Sequence, residues 1–146
     1  MKHELGDGLE LDDDKARIDR EAVHRYLGGE SYWAKGRLRE VQDRLIEHAD
    51  RVVGLYDGDA QVGFCRAFTD GVAIVYLADV YVLEGYRGRG LGEALVRTMI
   101  DGSAFAGVKW LLHTWDMHPL YRKLGFEEPS YKVMERRSES QSSDAG

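Results

Sequence analysis

The stretch VYLADVYVLEGYRGRGLGEAL (residues 75–95) joins an apolar run, a glycine-rich loop and the beginning of a helical pattern. The apolar part belongs to a nearly unbroken run over residues 72–83, which is typical of a central strand buried on both faces. Asp79 interrupts this run, and a carboxylate there lies either near the open end of the strand or beside a β-bulge. The loop within residues 84–95 contains four glycines and two arginines. Bare backbone, fixed positive charge and a helix start together indicate an anion site, most often for a phosphate.

Three kinds of phosphate-binding loop compete for this pattern. A Walker loop needs Gly-Lys followed by Ser or Thr, and here Gly92 is followed by Glu93. A dinucleotide-binding fingerprint needs glycines spaced as G-x-G-x-x-G/A, and the third position fails whether the pattern begins at Gly88 or at Gly90. That fingerprint also follows the first strand of a βαβ unit, whereas this loop follows several strands. The pattern that remains is Arg-x-x-Gly-x-Gly, which begins at Arg87.

The rest of the chain predicts a mixed α/β fold, with a mostly antiparallel central sheet flanked by helices. Strands joined by the tight turns Asp57-Gly58 and Asp70-Gly71 should be antiparallel. A crossover helix should set the strand after it parallel to the strand before it. Apolar periodicity predicts helices at 19–27, 38–49, 90–101 and 118–126, and strands at 9–13, on both sides of Asp57-Gly58 within 51–70, and at 72–83, 109–114 and 128–137.

Length and composition indicate one globular domain over residues 9–137. Residues 1–8 are expected to be flexible, and the polar, Ser-rich residues 138–146 are expected to form a disordered tail. The chain has no apolar run long enough for a transmembrane helix, and its charged first residues do not resemble a signal peptide. The single cysteine, Cys65, cannot form an internal disulfide. These features predict a cytoplasmic protein without a membrane partner.

The charge of the chain limits its partners. A formal net charge of −6 at pH 7 argues against non-specific nucleic-acid binding and favours a cationic partner such as an amine. The histidines show no metal-ligand spacing with cysteine or acidic residues, so no metal site is predicted.

A second motif, TWDMHPLYRKLGF (residues 114–126), follows the Arg-x-x-Gly-x-Gly loop at a characteristic separation. Both motifs, in this order, resemble those of the GCN5-related N-acetyltransferase (GNAT) superfamily. The matching positions in the second motif are Leu120-Tyr121, Lys123 and Gly125-Phe126. The resemblance covers about residues 74–134, and it implies an acyl-CoA N-acyltransferase fold with a splayed pair of parallel strands.

The resemblance implies that the protein binds acetyl-CoA as its acetyl donor. The loop would hold the pyrophosphate, and free backbone groups of the central strand would bind the pantetheine arm. Many relatives carry asparagine where this chain has Thr114, and an alcohol makes fewer hydrogen bonds to that arm than an amide. The residues expected to bind acetyl-CoA are Val80, Tyr81, Val82, Arg87, Gly88, Arg89, Gly90, Leu91, Gly92 and Thr114.

The resemblance also assigns roles in catalysis. Tyr121 is the expected general acid, since a phenol can protonate a departing thiolate. Asp79 is the first candidate for a base, although a hydrogen-bonded structural carboxylate is an equal alternative. Asp116 could act as a base or as the N-cap of the following helix, and we favour the N-cap. Tyr32 and Trp33 are expected either to line the acceptor site or to pack in the core under a loop.

The expected function is transfer of an acetyl group to a primary amine of a small molecule or peptide, by direct attack on the thioester. Two alternatives are a non-catalytic acyl-CoA-binding sensor and a mononucleotide-binding protein that uses the loop for ATP or NAD. Homodimers are common among relatives, and no stretch of this sequence specifies an interface. The sequence carries no pattern that identifies the acceptor.

Overall fold

The computed structural model describes residues 1–116 and 118–139, the backbone alone being described at residue 118. The chain forms one six-stranded sheet whose strands lie side by side in chain order. The first five strands pair antiparallel with their neighbours, and the last two are parallel. The predicted mixed, mostly antiparallel sheet is therefore confirmed. Its strands are β1 (Lys2–Gly6), β2 (Leu9–Asp12), β3 (Arg51–Asp57), β4 (Ala60–Thr69), β5 (Ile74–Val82) and β6 (Lys109–Leu111).

Helices cover both faces of the sheet. They are α1 (Arg20–Gly29), α2 (Arg39–His48), α3 (Leu91–Asp101) and α4 (His118–Lys123). Asp19 is the N-cap of α1, and its carboxylate accepts a hydrogen bond from the Ala22 amide at 3.0 Å. α1 and α2 bury an apolar cluster with one face of β3–β5, and α3 packs a second cluster against the other face. Burying each large aliphatic side chain stabilises the fold by about 1.5–3 kcal/mol.

Two segments differ from the sequence prediction. Residues 2–6, which were expected to be flexible, form β1, and its pairing means that β2 is not an edge strand. The turn between β1 and β2 is built on Gly6, Asp7 and Gly8, all with positive φ. Such a turn is a hairpin signal. The strand expected at 128–137 is not formed among the described residues, and its apolar side chains Tyr131 and Met134 are exposed rather than packed on a face. Of the expected tail at 138–146, residues 140–146 lie outside the described part of the chain.

β5 and β6 separate partway along their length. Their pairing runs from Ile74 opposite Lys109 to Tyr76 opposite Leu111, and β5 then continues alone on that side to Val82. On its other side, β5 carries one extra residue against β4, because Ala78 pairs with Arg66 while Tyr81 pairs with Phe64. The extra residue is a β-bulge at Asp79, whose φ is 56°. This confirms the bulge and the splayed strand pair, and it leaves a gap beside the carboxyl end of β5.

Candidate active site

A cavity of about 620 Å³ occupies the gap between the separated strands. One wall is the second half of β5 from Leu77 to Val82, and the opposite wall is the segment after β6, residues 112–116. The end of α1 with the residues after it, the start of α3, and α4 complete the lining. The site therefore lies where β5 and β6 no longer pair, and its shape follows from the bulge in β5 and the shortness of β6.

At one end of the cavity, the glycine-rich loop leads into α3. Gly88 and Gly90 have φ values of 78° and 74°, a backbone conformation that favours glycine. A Cβ at either position would meet no protein atom within 4 Å, so the space above the loop is open to a ligand. The first hydrogen bond of the helix joins the Ala94 amide to the Gly90 carbonyl at 3.1 Å. The amides of Leu91 and Gly92 consequently lie outside the helical ladder, at the positive end of the helix dipole.

Arg87 is held at the entrance of this loop. Its Nε donates to the Val82 carbonyl and its Nη2 to the Tyr26 hydroxyl, both at 2.9 Å. Tyr26 in turn stacks on Tyr81 with ring centroids 4.1 Å apart. Arg89 lies over the Tyr86 ring instead, 5.6 Å from its centroid, and it is not among the described residues that line the cavity. The structure thus brings Arg87 to the cavity and leaves Arg89 out of its lining.

The edge of β5 that faces the cavity is the part expected to bind a pantetheine arm. Val80, Tyr81 and Val82 lie beyond the last β5–β6 pair, so this edge has no strand partner there. All three line the cavity, and Thr114 lines it from the opposite wall. An extended ligand can use such an edge as if it were an added strand.

Tyr121 lies in the cavity wall on α4. Its side chain is buried, with 7% of its surface exposed, and its ring meets Phe126 edge-to-face at 5.6 Å between centroids. Burial raises the pKa of Tyr121 well above its ordinary value, and nearby Cys65, Tyr32 and Asp116 act in the same direction. The hydroxyl therefore keeps its proton throughout the neutral pH range.

The carboxylate of Asp79 is buried and accepts hydrogen bonds from three side chains. Trp33 Nε1 donates to Oδ1 at 3.0 Å, and Oδ2 accepts from Arg37 Nη1 at 2.8 Å and from Arg66 Nε at 2.7 Å. Burial alone would raise the pKa of Asp79, but the charges and hydrogen bonds of the two arginines outweigh burial and lower it. A carboxylate so paired is a poor proton acceptor. Of the two roles left open by the sequence, these contacts favour the structural carboxylate over the base.

The partners of Asp79 are functional residues that sequence reasoning missed. Arg66 lies on β4, and Arg37 lies in the segment between α1 and α2, where its Nη1 also donates to Gln42 Oε1 at 2.9 Å. No local pattern pairs these residues, because both are distant from Asp79 along the chain. The one available signal was a lone aspartate in an apolar strand, since a buried carboxylate requires a cationic partner.

The cavity also has an aromatic wall, formed by Tyr32, Trp33 and Trp115. Tyr32 stacks on Trp115 with centroids 4.5 Å apart, and it meets Trp33 edge-on at 5.0 Å. The stack joins the segment after α1 to the segment after β6. Tyr32 and Trp33 were expected to line the acceptor site or to pack in the core, and both line the cavity. Trp115 was not anticipated.

The described helices include none with the length and apolar character needed to span a bilayer. Within the same residues, no group of three or more His, Cys, Asp or Glu side chains is arranged to hold a metal ion.

Comparison with known proteins identifies the family. A family model described as an acetyltransferase (GNAT) domain matches residues 48–128. Mycothiol acetyltransferase of Corynebacterium efficiens is 33% identical over an alignment of 119 positions, which covers 75% of this chain and 38% of that protein. The chain thus spans well under half the length of this relative.

Solved structures agree with the family match. A Xanthomonas campestris pv. campestris protein assigned to the GNAT acetyltransferase family superposes with a TM-score of 0.83 at 32% identity, over 89% of this chain and 93% of that chain. A GNAT-family acetyltransferase of Streptococcus pneumoniae, 22% identical with a TM-score of 0.68 over 89% and 99% of the two chains, shares the fold. Because the family model matches more than half of the chain, the protein belongs to the GNAT acetyltransferase family.

Proposed function

We propose that the protein transfers the acetyl group of acetyl-CoA to a primary amine by direct attack on the thioester. One observation carries the proposal. The glycine-rich loop at the start of α3, the unpaired edge of β5 and the Tyr121 side chain all line one cavity. This reaction needs three features in one cleft. They are a site that binds the pyrophosphate, an extended edge that binds the pantetheine arm, and a proton donor for the leaving thiolate.

The residues of the cavity fit acetyl-CoA. The amides of Leu91 and Gly92 and the guanidinium of Arg87 would hold the pyrophosphate, since a helix start and a cation both favour a doubly charged anion. The positive φ at Gly90 turns the backbone toward the open space above the loop. The unpaired edge at Val80–Val82 and the side chain of Thr114 would hold the pantetheine arm. Gly88 and Arg89 complete the loop, although only Gly88 lines the cavity.

Tyr121 would act as the general acid. When bound, acetyl-CoA supplies an activated acetyl group and a thiolate leaving group. The Tyr121 hydroxyl holds a proton at neutral pH, since even the ordinary pKa of a phenol is about 10. The Tyr121 side chain lines the same cavity as the loop and the aromatic wall. A phenol donating a proton to a departing thiolate typically contributes about 10²–10⁴-fold to the rate. A backbone amide near Val82 would stabilise the developing oxyanion.

Asp79 would position the site rather than accept a proton. Its carboxylate ties the bulge of β5 to Trp33 and Arg37, which precede α2. This contact would hold the aromatic wall at a constant distance from the splayed edge of β5. The acceptor, a small-molecule or peptide amine, would enter between these two surfaces.

The proposal is tested by thermal unfolding with acetyl-CoA, and separately with ATP and with NAD, followed by a turnover assay. A ligand at about a hundred times its dissociation constant adds about 2.7 kcal/mol of stability. For a chain of this size, that should raise the midpoint by roughly 3–6 °C. We expect the shift with acetyl-CoA only, and release of free CoA thiol when a suitable amine is added. A shift with ATP or NAD only would refute the proposal. Binding of acetyl-CoA without turnover of any amine would identify an acyl-CoA-binding module instead.

A further inference from the structure

The acceptor end of the cavity combines exposed aromatic rings with carboxylates. Trp115 is 77% exposed and Tyr32 is 43% exposed, although both are large apolar rings. Their mutual stacking holds both rings in place, so the outer face of Trp115 and the edge of Tyr32 remain presented as a flat apolar surface. Exposed aromatic surface of this extent inside a cavity is typical of a binding site for a flat or apolar group.

The charges around this surface are negative. The cavity lining includes five carboxylates (Glu30, Asp79, Glu84, Glu93 and Asp116) and one guanidinium, that of Arg87. Asp79 is neutralised by Arg66 and Arg37, and Glu93 has Arg97 at 3.6 Å. Glu30 precedes Tyr32 by two residues and Asp116 directly follows Trp115, and both carboxylates line the cavity. The charge of Asp116 acts on both Tyr32 and Tyr121. A carboxylate near both tyrosines attracts a cation to the position beside the general acid.

The same lining offers little to an anionic acceptor. Among the described lining residues, the basic groups are Arg87 and His113. Arg87 lies at the loop end of the cavity, where it donates to Val82 and Tyr26. His113 contacts Glu135 through Nε2 at 2.9 Å and the Tyr76 hydroxyl through Nδ1. A phosphate or carboxylate at the aromatic wall would therefore lose its hydration without gaining a cationic partner.

From these observations we infer that the acceptor is a primary amine on an aromatic or other flat apolar body that carries no anionic group. The ammonium would bind beside Asp116 and lose one proton to water, so that the neutral amine attacks the thioester carbonyl while the departing thiolate takes the proton of Tyr121. The apolar body would pack on Tyr32 and Trp115. The inference rests on the proposed function, because it names the substrate class of the same cavity. It excludes two broad classes of amine, namely amino acids with a free carboxylate and amino sugars with a phosphate.

The experiment compares four amines as acetyl acceptors with the wild-type protein. 2-Phenylethylamine has the inferred character, and phenylalanine differs from it by an added carboxylate alone. Ethanolamine lacks the ring, and glucosamine 6-phosphate carries a phosphate. We expect kcat/KM for 2-phenylethylamine to exceed that of each of the others by roughly tenfold or more, measured as release of free CoA thiol.

Substitutions in and beside the aromatic wall test whether these residues cause the preference for 2-phenylethylamine. Trp115→Ala should raise KM for 2-phenylethylamine by roughly fivefold and leave KM for ethanolamine unchanged, because only the first amine packs on the ring. Asp116→Asn should raise KM for both amines, because both are cations. The control is Tyr131→Ala, which removes another exposed aromatic ring that does not line the cavity and should change neither KM. Thermal unfolding with acetyl-CoA should show the same shift in all these variants.

The outcomes separate this inference from the proposed function. If acetyl-CoA gives no thermal shift, the proposed function fails and the inference falls with it. If acetyl-CoA binds and phenylalanine, ethanolamine or glucosamine 6-phosphate is the better acceptor, the inference alone is wrong. The inference alone is also wrong if Trp115→Ala raises KM for ethanolamine as much as for 2-phenylethylamine. If acetyl-CoA binds and none of the four amines is acetylated, the inference is wrong, and the proposed function fails with it unless another amine is turned over.

Discussion

Asp79 and Arg66 form a buried ion pair in which Arg66 Nε lies 2.7 Å from Asp79 Oδ2, with 0% of the aspartate side chain and 7% of the arginine side chain exposed. Arg37 reaches the same oxygen from the segment that precedes α2, at 2.8 Å. The pair lies at the bulge of β5, because Arg66 on β4 is opposite Ala78, and Ala78 directly precedes the extra residue. One carboxylate therefore joins the splayed strand, its neighbour and the segment that carries Trp33 of the aromatic wall.

Replacing Asp79 by asparagine should strongly destabilise the protein. The substitution keeps the shape of the side chain but leaves the charges of Arg66 and Arg37 buried without a counterion. We expect a loss of about 3 kcal/mol or more in the free energy of unfolding, measured by urea denaturation. The matched control is Asp43→Asn, which removes a more exposed partner of Arg39 and should cost about 0–1 kcal/mol. Equal losses in the two variants would contradict the structural role of Asp79.

Acid should remove the stabilisation that Asp79 provides. The pKa of Asp79 is lower in the folded protein than in the unfolded chain, because the attraction of the two arginines outweighs the effect of burial. The unfolded chain therefore binds more protons as the pH falls below about 4. The contribution is fully present above that pH and is lost as the pH falls through the folded pKa.

We expect the wild-type free energy of unfolding to fall between about pH 5 and pH 2. The free energy of unfolding of the Asp79→Asn variant should fall less over the same pH range. Denaturation curves at several pH values for both proteins check this expectation, and parallel curves would show that Asp79 does not titrate with folding. Burial would raise the pKa values of Asp12 and Asp13, but hydrogen bonds and nearby cations outweigh it and lower them. The stability of the variant should therefore still depend on pH in part.

Tyr121→Phe should abolish most of the acetyl transfer while leaving the fold intact. The ring keeps its packing against Phe126, and the proton donor alone is lost. We expect kcat to fall by about 10²–10⁴-fold, with the dissociation constant of acetyl-CoA unchanged. The control is Tyr56→Phe, since the Tyr56 hydroxyl is also buried, lies outside the cavity lining and has no hydrogen-bond partner among the described residues. Unchanged turnover in Tyr121→Phe would remove Tyr121 from the mechanism.

Gly90→Ala should weaken the binding of acetyl-CoA through the backbone of the loop. A Cβ at this position meets no protein atom within 4 Å, so the strain comes from the φ of 74° and costs about 1–2 kcal/mol. Relief of that strain would turn the Gly90 backbone away from the helix start. Gly85→Ala is the control, because Gly85 lies in the same loop, has equal space and carries no positive φ. A smaller thermal shift with acetyl-CoA in Gly90→Ala but not in Gly85→Ala is the expected result.

Arg87→Met should lower acetyl-CoA affinity by roughly tenfold or more, because a charge-assisted hydrogen bond to phosphate is lost. The affinity of the variant should also depend less on salt concentration than that of the wild-type protein. Isothermal titration at two ionic strengths measures both effects. Arg44→Met on the exposed side of α2 is the charge-matched control and should behave like the wild-type protein. An unchanged salt dependence in Arg87→Met would show that Arg87 does not contact the phosphates.

Sequence reasoning succeeded where the signal is local. The apolar run that becomes β5, the glycines that precede α3 and the Asp57-Gly58 turn were all predicted, because each depends on residues within a few positions. The β1 hairpin was missed because its strand is polar and exposed. The strand expected at 128–137 was predicted from an apolar pattern and is not formed. β6 is only three residues long, so it offers little edge for a further strand, and the apolar side chains Tyr131 and Met134 are exposed.

The sequence by itself determined the strand, loop and helix of residues 75–95, and with them the place of the proposed anion site at the start of α3. It also indicated a proton donor at Tyr121 through its motif. Only the tertiary structure decided what Asp79 does, because its arginine partners come from β4 and from the segment before α2. It alone also brought Tyr32 and Trp115 together from loops distant in the chain. Such contacts depend on how the sheet splays and which loops then meet across the gap, and no local periodicity encodes that geometry.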